Sequence, residues 1–183
     1  MRIETKRLLL RPFEKGDAAD LLAYRSGPLP TCFACMRLES LADAAAEAEK
    51  LSREQAYCFA IVCRADGHVI GEIEAYPEST APGEAPADTF SPCWMLNAAY
   101  QGQGYAYEAA RAFFTYLFTG KGARRIYAYT ETDNHRSQRL CERLGMRREG
   151  VFEEFVSFVS NPDGTPKYED TIQYAILKRE WRG

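Results

Sequence analysis

The stretch Leu96-Asn-Ala-Ala-Tyr-Gln-Gly-Gln-Gly-Tyr-Ala-Tyr-Glu-Ala-Ala110 is the most informative part of this chain. An apolar run from Cys93 to Leu96 leads into the glycine-rich turn Gln101-Gly-Gln-Gly-Tyr-Ala106, and that turn opens a long amphipathic segment. Closely spaced glycines between a strand and a helix leave backbone N–H groups aimed alike, at the positive end of the helix dipole. An anion of phosphate size fits there, so the turn predicts a phosphate-bearing ligand.

The apolar runs and chain breakers around this turn predict alternating strands and helices. The predicted strands are 7–12, 57–64, 68–76, 90–96, 125–131, 151–160 and 167–177, and the predicted helices are 18–24, 41–55, 104–118 and 134–144. Asp17 and Ser40 are the predicted caps of the first two helices. Pro92 suggests that its strand lies at an edge or carries a bulge. The order predicts an α+β fold with a mixed sheet of about seven strands and helices on both faces.

Composition and charge exclude some classes of function. The net charge of −3 argues against a nucleic-acid partner, which would need a basic surface. No apolar run is long enough to span a bilayer and no leader pattern opens the chain, so we expect a cytoplasmic protein without a membrane partner. No repeat or linker divides residues 1–183, which predicts a single domain.

The cysteines offer a competing interpretation. Cys32-Phe-Ala-Cys35 is half of a zinc motif or a redox pair, but no second such pair exists among the six cysteines. We therefore expect no metal, and reduced, packed thiols. A zinc or redox function through this pair stays as the weaker alternative.

The known phosphate-binding motifs narrow the choice of ligand. A dinucleotide fingerprint needs a third glycine where this chain has Ala106, and a nucleotide P-loop needs a Gly-Lys-Ser/Thr ending that is missing. The pattern that fits is Gln/Arg-x-x-Gly-x-Gly/Ala, which Gln101, Gly104 and Ala106 satisfy.

A second signature lies downstream, in Asn134-His-Arg-Ser-Gln-Arg-Leu-Cys-Glu-Arg-Leu-Gly-Met146. With it the chain resembles the GNAT superfamily of acyl-CoA N-acyltransferases. The opening Glu4-Thr-Lys-Arg-Leu-Leu-Leu-Arg-Pro12 is typical of the branch that acetylates ribosomal-protein N-termini. The resemblance covers essentially the whole chain. It implies a three-layer α/β fold whose mostly antiparallel sheet splays between its fourth and fifth strands.

The resemblance also implies an activity and a cofactor site. The reaction would move an acetyl group from acetyl-CoA to a primary amine, of a protein N-terminus or a small molecule, by direct attack in a ternary complex. The enzyme would be a monomer or a homodimer. The residues implied in binding CoA are Met95, Leu96, Asn97, Gln101, Gly102, Gln103, Gly104, Tyr105, Ala106, Asn134 and Ser137. For Asn134 and Ser137, simple helix capping is the alternative.

The catalytic residues are less determined by the sequence. Tyr129 stands where some relatives carry a glutamate base, and Cys141 stands where many carry a tyrosine acid. Cys141 is the candidate acid, with a buried inert thiol as its alternative. Glu72 and Glu74, which share one strand face, are the preferred bases and Glu131 is a third choice. Each of the preferred pair could equally be a solvated charge, and a low-pKa amine could react without a protein base.

The acceptor site is expected in the irregular stretch 27–38 and the hairpin around 155–168, with the loop 77–88 as a cover. The candidate lining residues are Tyr24, Phe33, Phe155 and Phe158, although aromatics there could equally be core. A different class of function is a non-catalytic acyl-CoA sensor on the same scaffold. The departures at Tyr129 and Cys141 are what would fit that alternative.

Overall fold

The computed structural model describes residues 1–78 and 88–183, and these form one mixed sheet with four α-helices. The strands are β1 (Ile3–Glu4), β2 (Leu8–Arg11), β3 (Cys58–Cys63), β4 (Val69–Pro77), β5 (Thr89–Leu96), β6 (Arg125–Glu131), β7 (Arg147–Ser160) and β8 (Pro166–Leu177). The helices are α1 (Ala18–Arg25), α2 (Leu41–Leu51), α3 (Tyr105–Gly120) and α4 (His135–Arg143). The expected α+β class is confirmed.

The sheet runs in the order β1-β2-β3-β4-β5-β6-β8-β7. The pair β5–β6 is parallel, whereas β1–β2, β2–β3, β3–β4, β6–β8 and β7–β8 are antiparallel. The eighth strand, beyond the seven expected, is β1. Its two residues pair with β2, Ile3 opposite Leu10 and Glu4 opposite Leu9, and a run this short leaves no alternation to detect.

The edge position expected for Pro92 is wrong, and the bulge given as its alternative stays a prediction. Its strand β5 is an interior strand of the sheet, between β4 and β6. The described register between β5 and β6 consists of Thr89 opposite Arg125 and Phe90 opposite Ile126. Pro92 follows the second pair by two residues, so its missing N–H group falls where that register has ended.

The chain divides into two compact units, one formed by residues 1–75 and 93–113 and the other by the described part of 76–92 with 114–183. The single domain expected over 1–183 stays a prediction. In the first unit, Cys58, Ala60 and Val62 alternate along β3 and therefore share one face. They belong to a buried cluster that also contains residues of α1 and α2. Trp94 lies in the same unit but is not part of this cluster. The cluster is Phe13, Leu21, Tyr24, Leu38, Ala44, Ala48, Leu51, Cys58, Ala60, Val62, Val69 and Met95.

The two predicted helix caps behave differently. Ser40 caps α2, because its hydroxyl accepts the N–H of Asp43 at 3.1 Å. Asp17 stands at the N-cap position of α1 but makes no side-chain cap bond. Its carboxylate instead accepts two hydrogen bonds from Arg11, at 2.7 and 2.8 Å, and one from the backbone N–H of Glu14 at 2.8 Å.

The second unit is held by aromatic packing and a long hairpin. Phe114, Leu117 and Phe118 of α3 are fully buried. The centre of a Trp181 ring lies 5.8 Å from the ring centre of Phe114 and 5.7 Å from that of Phe118. The β7–β8 hairpin has irregular register, and Glu154 in β7 adopts a positive φ of 47°. Within the described residues, no helix combines the length and apolarity that a membrane crossing requires.

Candidate active site

The glycine-rich turn lies in the first unit, between β5 and the start of α3. Gly102 and Gly104 have φ of 76° and 83°, in the left-handed region that favours glycine, and this backbone shape collects N–H groups into an anion-binding concavity. Gln101 donates its Nε2 to the Leu96 carbonyl at 3.0 Å, and Gln103 donates to Ala99 at 3.3 Å. Both side chains therefore stabilise the turn by hydrogen bonds to the backbone that precedes it.

Arg7 adds a positive charge to this turn. Its Nη1 donates to the Gln103 carbonyl at 2.9 Å, and its guanidinium carbon lies 4.3 Å from the centre of the Tyr105 ring. Its Nε donates to Glu108 at 2.7 Å. The sequence gives no sign of this role, because Arg7 is about a hundred residues from its partners along the chain.

Glu108, in the first turn of α3, is held by three donors. Its Oε1 accepts the Thr5 hydroxyl at 2.7 Å and the Arg7 backbone N–H at 2.8 Å, while its Oε2 accepts Arg7 Nε. Burial acts in the opposite direction, but these hydrogen bonds lower the pKa of Glu108. The carboxylate therefore stays ionised and tied to Arg7.

The end of β5 lies against β4 in the same unit. The Asn97 N–H donates to the Ile70 carbonyl at 2.8 Å, and the Asn97 side chain accepts the Ala99 N–H at 3.0 Å. A Cβ on Gly71 would come within 2.3 Å of the Met95 carbonyl oxygen, so only glycine permits this approach. The proposed contact of Met95, Leu96 and Asn97 with pantetheine stays a prediction.

Asn134 and Ser137 belong to the second unit, at the start of α4. Asn134 Oδ1 accepts the Ser137 N–H at 3.1 Å, so the side-chain oxygen of Asn134 caps the helix. This capping bond uses only the side-chain oxygen of Asn134, so capping does not require its Nδ2 group as a donor. Capping and cofactor binding are thus compatible functions of one side chain.

Glu72 and Glu74 have different surroundings in the first unit. Both Glu72 oxygens accept Arg25 Nη2, at 2.7 and 2.8 Å, and Oε2 also accepts the Tyr24 hydroxyl at 2.8 Å. Arg25 and Glu72 are both buried, and Arg25 makes a second bond to Glu47 at 3.3 Å. Burial, followed by the charge of Glu72, raises the pKa of Tyr24. These contacts favour a structural role for Glu72 and Tyr24.

Glu74 is the better candidate for a base. Burial, followed by the negative charge of Glu72, raises the pKa of Glu74 above its usual value. The side chain is half-buried, and Glu74 pairs with Cys58 across β3 and β4. A carboxylate with a raised pKa holds an abstracted proton better than an ordinary surface carboxylate.

Cys141 is fully buried in α4, and burial raises the pKa of its thiol to about 12. A thiol that weak as an acid favours the packing alternative over proton donation. Glu131, the third candidate base, is also buried in the second unit.

The candidate acceptor residues are divided between the units. Phe33, in the 3₁₀ helix Thr31–Met36, packs half-buried against the first unit's cluster. Phe155 and Phe158 are exposed on β7, and the Phe155 ring lies 5.4 Å from Tyr129 and 5.0 Å from Phe152. Residues 79–87 of the expected covering loop lie outside the described residues.

Cys32 and Cys35, the possible zinc or redox pair, are not joined by a disulfide. Cys32 is half-buried and Cys35 is exposed, both in the 3₁₀ helix Thr31–Met36. Among the residues that the structure describes, no group of three or more His, Cys, Asp or Glu side chains could hold a metal ion.

Comparison with known proteins agrees with this arrangement. The family model of the acetyltransferase (GNAT) domain matches residues 7–147. The uncharacterized N-acetyltransferase YnaD of Bacillus subtilis (strain 168) is 34% identical over 99% of this chain and 99% of its own. The structure of an acetyltransferase (GNAT family) from Bacillus anthracis is 29% identical, with a TM-score of 0.81 over 98% of this chain and 100% of the other.

A further similar structure contains a ligand. It is a ribosomal alpha-N-protein acetyltransferase in complex with coenzyme A, in which CoA forms a disulfide with a cysteine of that protein. It is 17% identical, with a TM-score of 0.69 over 97% of this chain and 98% of the other, so the likeness concerns the fold alone. The family match over most of the chain carries the conclusion: this protein belongs to the GNAT family and is an acyltransferase of the N-acetyltransferase class.

Proposed function

We propose that the protein transfers an acetyl group from acetyl-CoA to the primary amine of a protein N-terminus or a small molecule, by direct attack in a ternary complex. The observation that carries this proposal is the turn Gln101–Ala106, with two left-handed glycines at the start of α3. A cytoplasmic location and a monomeric or homodimeric state remain predictions from the sequence.

The residues of the turn fit the pyrophosphate of CoA. The first N–H groups of α3 have no acceptor within the helix, and a neighbouring anion satisfies them. A Cβ on Gly102 would meet nothing within 4 Å, so the turn is open on that side. In the proposal, the backbone of Met95–Asn97 and the side chains of Asn134 and Ser137 hold the pantetheine arm.

Glu74 is the proposed base. Bound acetyl-CoA supplies a thioester, which an amine attacks only when the amine is neutral. Glu74 takes the ammonium proton through a water molecule, and its raised pKa narrows the gap to an α-amino group near 8. The new C–N bond forms as the C–S bond breaks, the nitrogen gives its second proton to a water molecule, and that water passes a proton to the departing CoA thiolate. Glu72, which pairs with Arg25, lies on the same strand as Glu74 and is one cause of the raised pKa of Glu74.

An α-amino acceptor is the better match to this weak base. A lysine amine titrates near 10.4, about two units above an α-amino group, so Glu74 would deprotonate it far less readily. The CoA-bound structural neighbour is an alpha-N-protein acetyltransferase, and this supports the same choice. In the proposal, Phe155 and Phe158 contact the acceptor because they are exposed on β7.

A thiol-release assay with a panel of acceptors tests this function. The panel holds peptides with free N-termini, the same peptides N-acetylated but with a free lysine, a polyamine and an aminoglycoside. Turnover on free N-termini alone would support the α-amino assignment, and turnover on the polyamine or aminoglycoside would redirect it to small amines. Saturable binding of CoA without turnover on any acceptor would favour a sensor instead.

A further inference from the structure

We propose that Arg7 is a positioning residue for the pyrophosphate of CoA, acting through the peptide bond between Gln103 and Gly104. This inference rests on the proposed binding of acetyl-CoA at the turn. The contact that carries it is the hydrogen bond from Arg7 Nη1 to the Gln103 carbonyl oxygen, at 2.9 Å.

The direction of one peptide group explains the effect. In a trans peptide the C=O of Gln103 and the N–H of Gly104 lie in one plane and point in opposite directions within it. Arg7 binds the carbonyl, and the N–H of Gly104 is thereby aimed away from Arg7, toward the side where the turn can receive an anion. If this peptide rotated, a carbonyl oxygen would face the phosphate and repel it.

Gly104 makes such a rotation accessible. Its φ of 83° shows that the backbone lies where glycine has unusual freedom. A Cβ at this position would lie 3.4 Å from Arg7 Nη2, so the guanidinium packs directly over the glycine. The same guanidinium lies over the Tyr105 ring, which fixes it from a second side.

Glu108 holds Arg7 in this position. The pair Arg7 Nε–Glu108 Oε2 is 2.7 Å long, and Glu108 is itself held by Thr5. The pair also neutralises the negative charge of Glu108, which would otherwise repel the pyrophosphate from the first turn of α3. Arg7 therefore directs a donor toward the anion and cancels the nearest negative charge.

The experiment measures CoA binding by calorimetry and the amide spectrum by NMR for wild type, Arg7→Met and Arg7→Lys. Arg53→Met is the matched control, because it removes a positive charge whose exposed ion pair, with Glu49, shares no residue with the contacts among Arg7, Glu108 and Thr5. We expect Arg7→Met to raise the Kd of CoA about 10- to 100-fold, as for loss of a hydrogen bond to a charged group. Arg53→Met should change the Kd less than about twofold.

The NMR signal separates positioning from general damage. In the wild type, CoA should shift the Gly104 amide proton strongly downfield, and Arg7→Met should lose that shift while keeping the remaining amide pattern. Arg7→Lys keeps the charge without the planar fork, so we expect it to recover less than half of the lost binding free energy. This variant also carries the test if Arg7→Met does not fold.

Three outcomes would overturn the inference. Unchanged CoA affinity in Arg7→Met would remove the role of Arg7, and full recovery in Arg7→Lys would show that charge alone matters. A Gly104 shift that survives in Arg7→Met would show that the peptide is aimed without Arg7. Failure of the wild type to bind CoA would instead overturn the proposed function, and this inference with it.

Discussion

Replacing Arg25 by methionine should destabilise the protein strongly, because it leaves the Glu72 carboxylate buried without its counter-charge. The Arg25 and Glu72 side chains are 2% and 6% exposed, and Arg25 Nη2 contacts both carboxylate oxygens. Removing one partner of a buried ion pair costs about 3–5 kcal/mol, because the remaining charge keeps its desolvation penalty. At about 2–4 °C per kcal/mol for a chain of this size, Tm should fall by about 6–20 °C.

A double-mutant cycle tests whether the unpaired charge of Glu72 is the cause of the lost stability. Arg25→Met combined with Glu72→Gln removes both charges and keeps an acceptor for the Tyr24 hydroxyl, so most of the lost stability should return. The control is Arg53→Met, which removes an arginine from a pair with Glu49 whose side chains are 75% and 45% exposed. That change should cost less than about 1 kcal/mol.

The assay is urea unfolding followed by circular dichroism, with the free energy of unfolding extrapolated for all four variants and wild type. A loss below about 1 kcal/mol in Arg25→Met would refute the claim that the buried pair is essential. A double variant as unstable as the sum of the two single variants would refute the claim that an unpaired buried charge is the cause.

Four further substitutions bear on the site. Glu74→Gln should lower kcat about 10²- to 10⁴-fold and remove the rise of activity with pH that a base gives; an unchanged pH–rate profile would exclude Glu74. Because the pKa of Glu74 is raised in the folded state, its contribution to stability is present at low pH and is lost as pH rises through its folded-state pKa. We therefore expect Glu74→Gln to increase the free energy of unfolding at pH 7, measured by urea unfolding. Cys141→Ala should keep kcat and lower stability by about 1 kcal/mol, whereas a large fall in kcat with normal CoA affinity would restore its role as acid. Gly104→Asp should abolish CoA binding, measured by calorimetry. Gly102→Ala has open space around its new Cβ, so it should cost only the strain of the positive φ at that position. Equal effects of the two variants would count against the pyrophosphate lying at Gly104.

Local patterns in the sequence were sufficient for most of the fold. The strand-to-helix turn at Gln101–Ala106 was predictable because apolar runs, closely spaced glycines and an amphipathic segment are all local signals. Phe114, Leu117 and Phe118, which are buried in the structure, recur at helical spacing, and that spacing is a local signal of the same kind. Both kinds of signal act within about ten residues.

The features that escaped prediction depend on partners distant in sequence. The Arg25–Glu72 pair joins residues 47 positions apart, and no local pattern shows that Glu72 is already bound. Arg7 contacts Glu108 across 101 positions, so its place beside the turn appears only in the folded chain. In the proposal, these long-range pairs decide which carboxylate acts as the base and which backbone N–H group faces the pyrophosphate.

The two tryptophans of the chain give a spectroscopic view of its two compact units. Trp94 lies in the first unit, and Trp181 packs on Phe114 and Phe118 in the second. A Trp94→Phe variant would therefore emit from the second unit alone, and a Trp181→Phe variant from the first alone. Coincident fluorescence transitions in the two variants would describe one cooperative folding unit, and separate transitions would describe two.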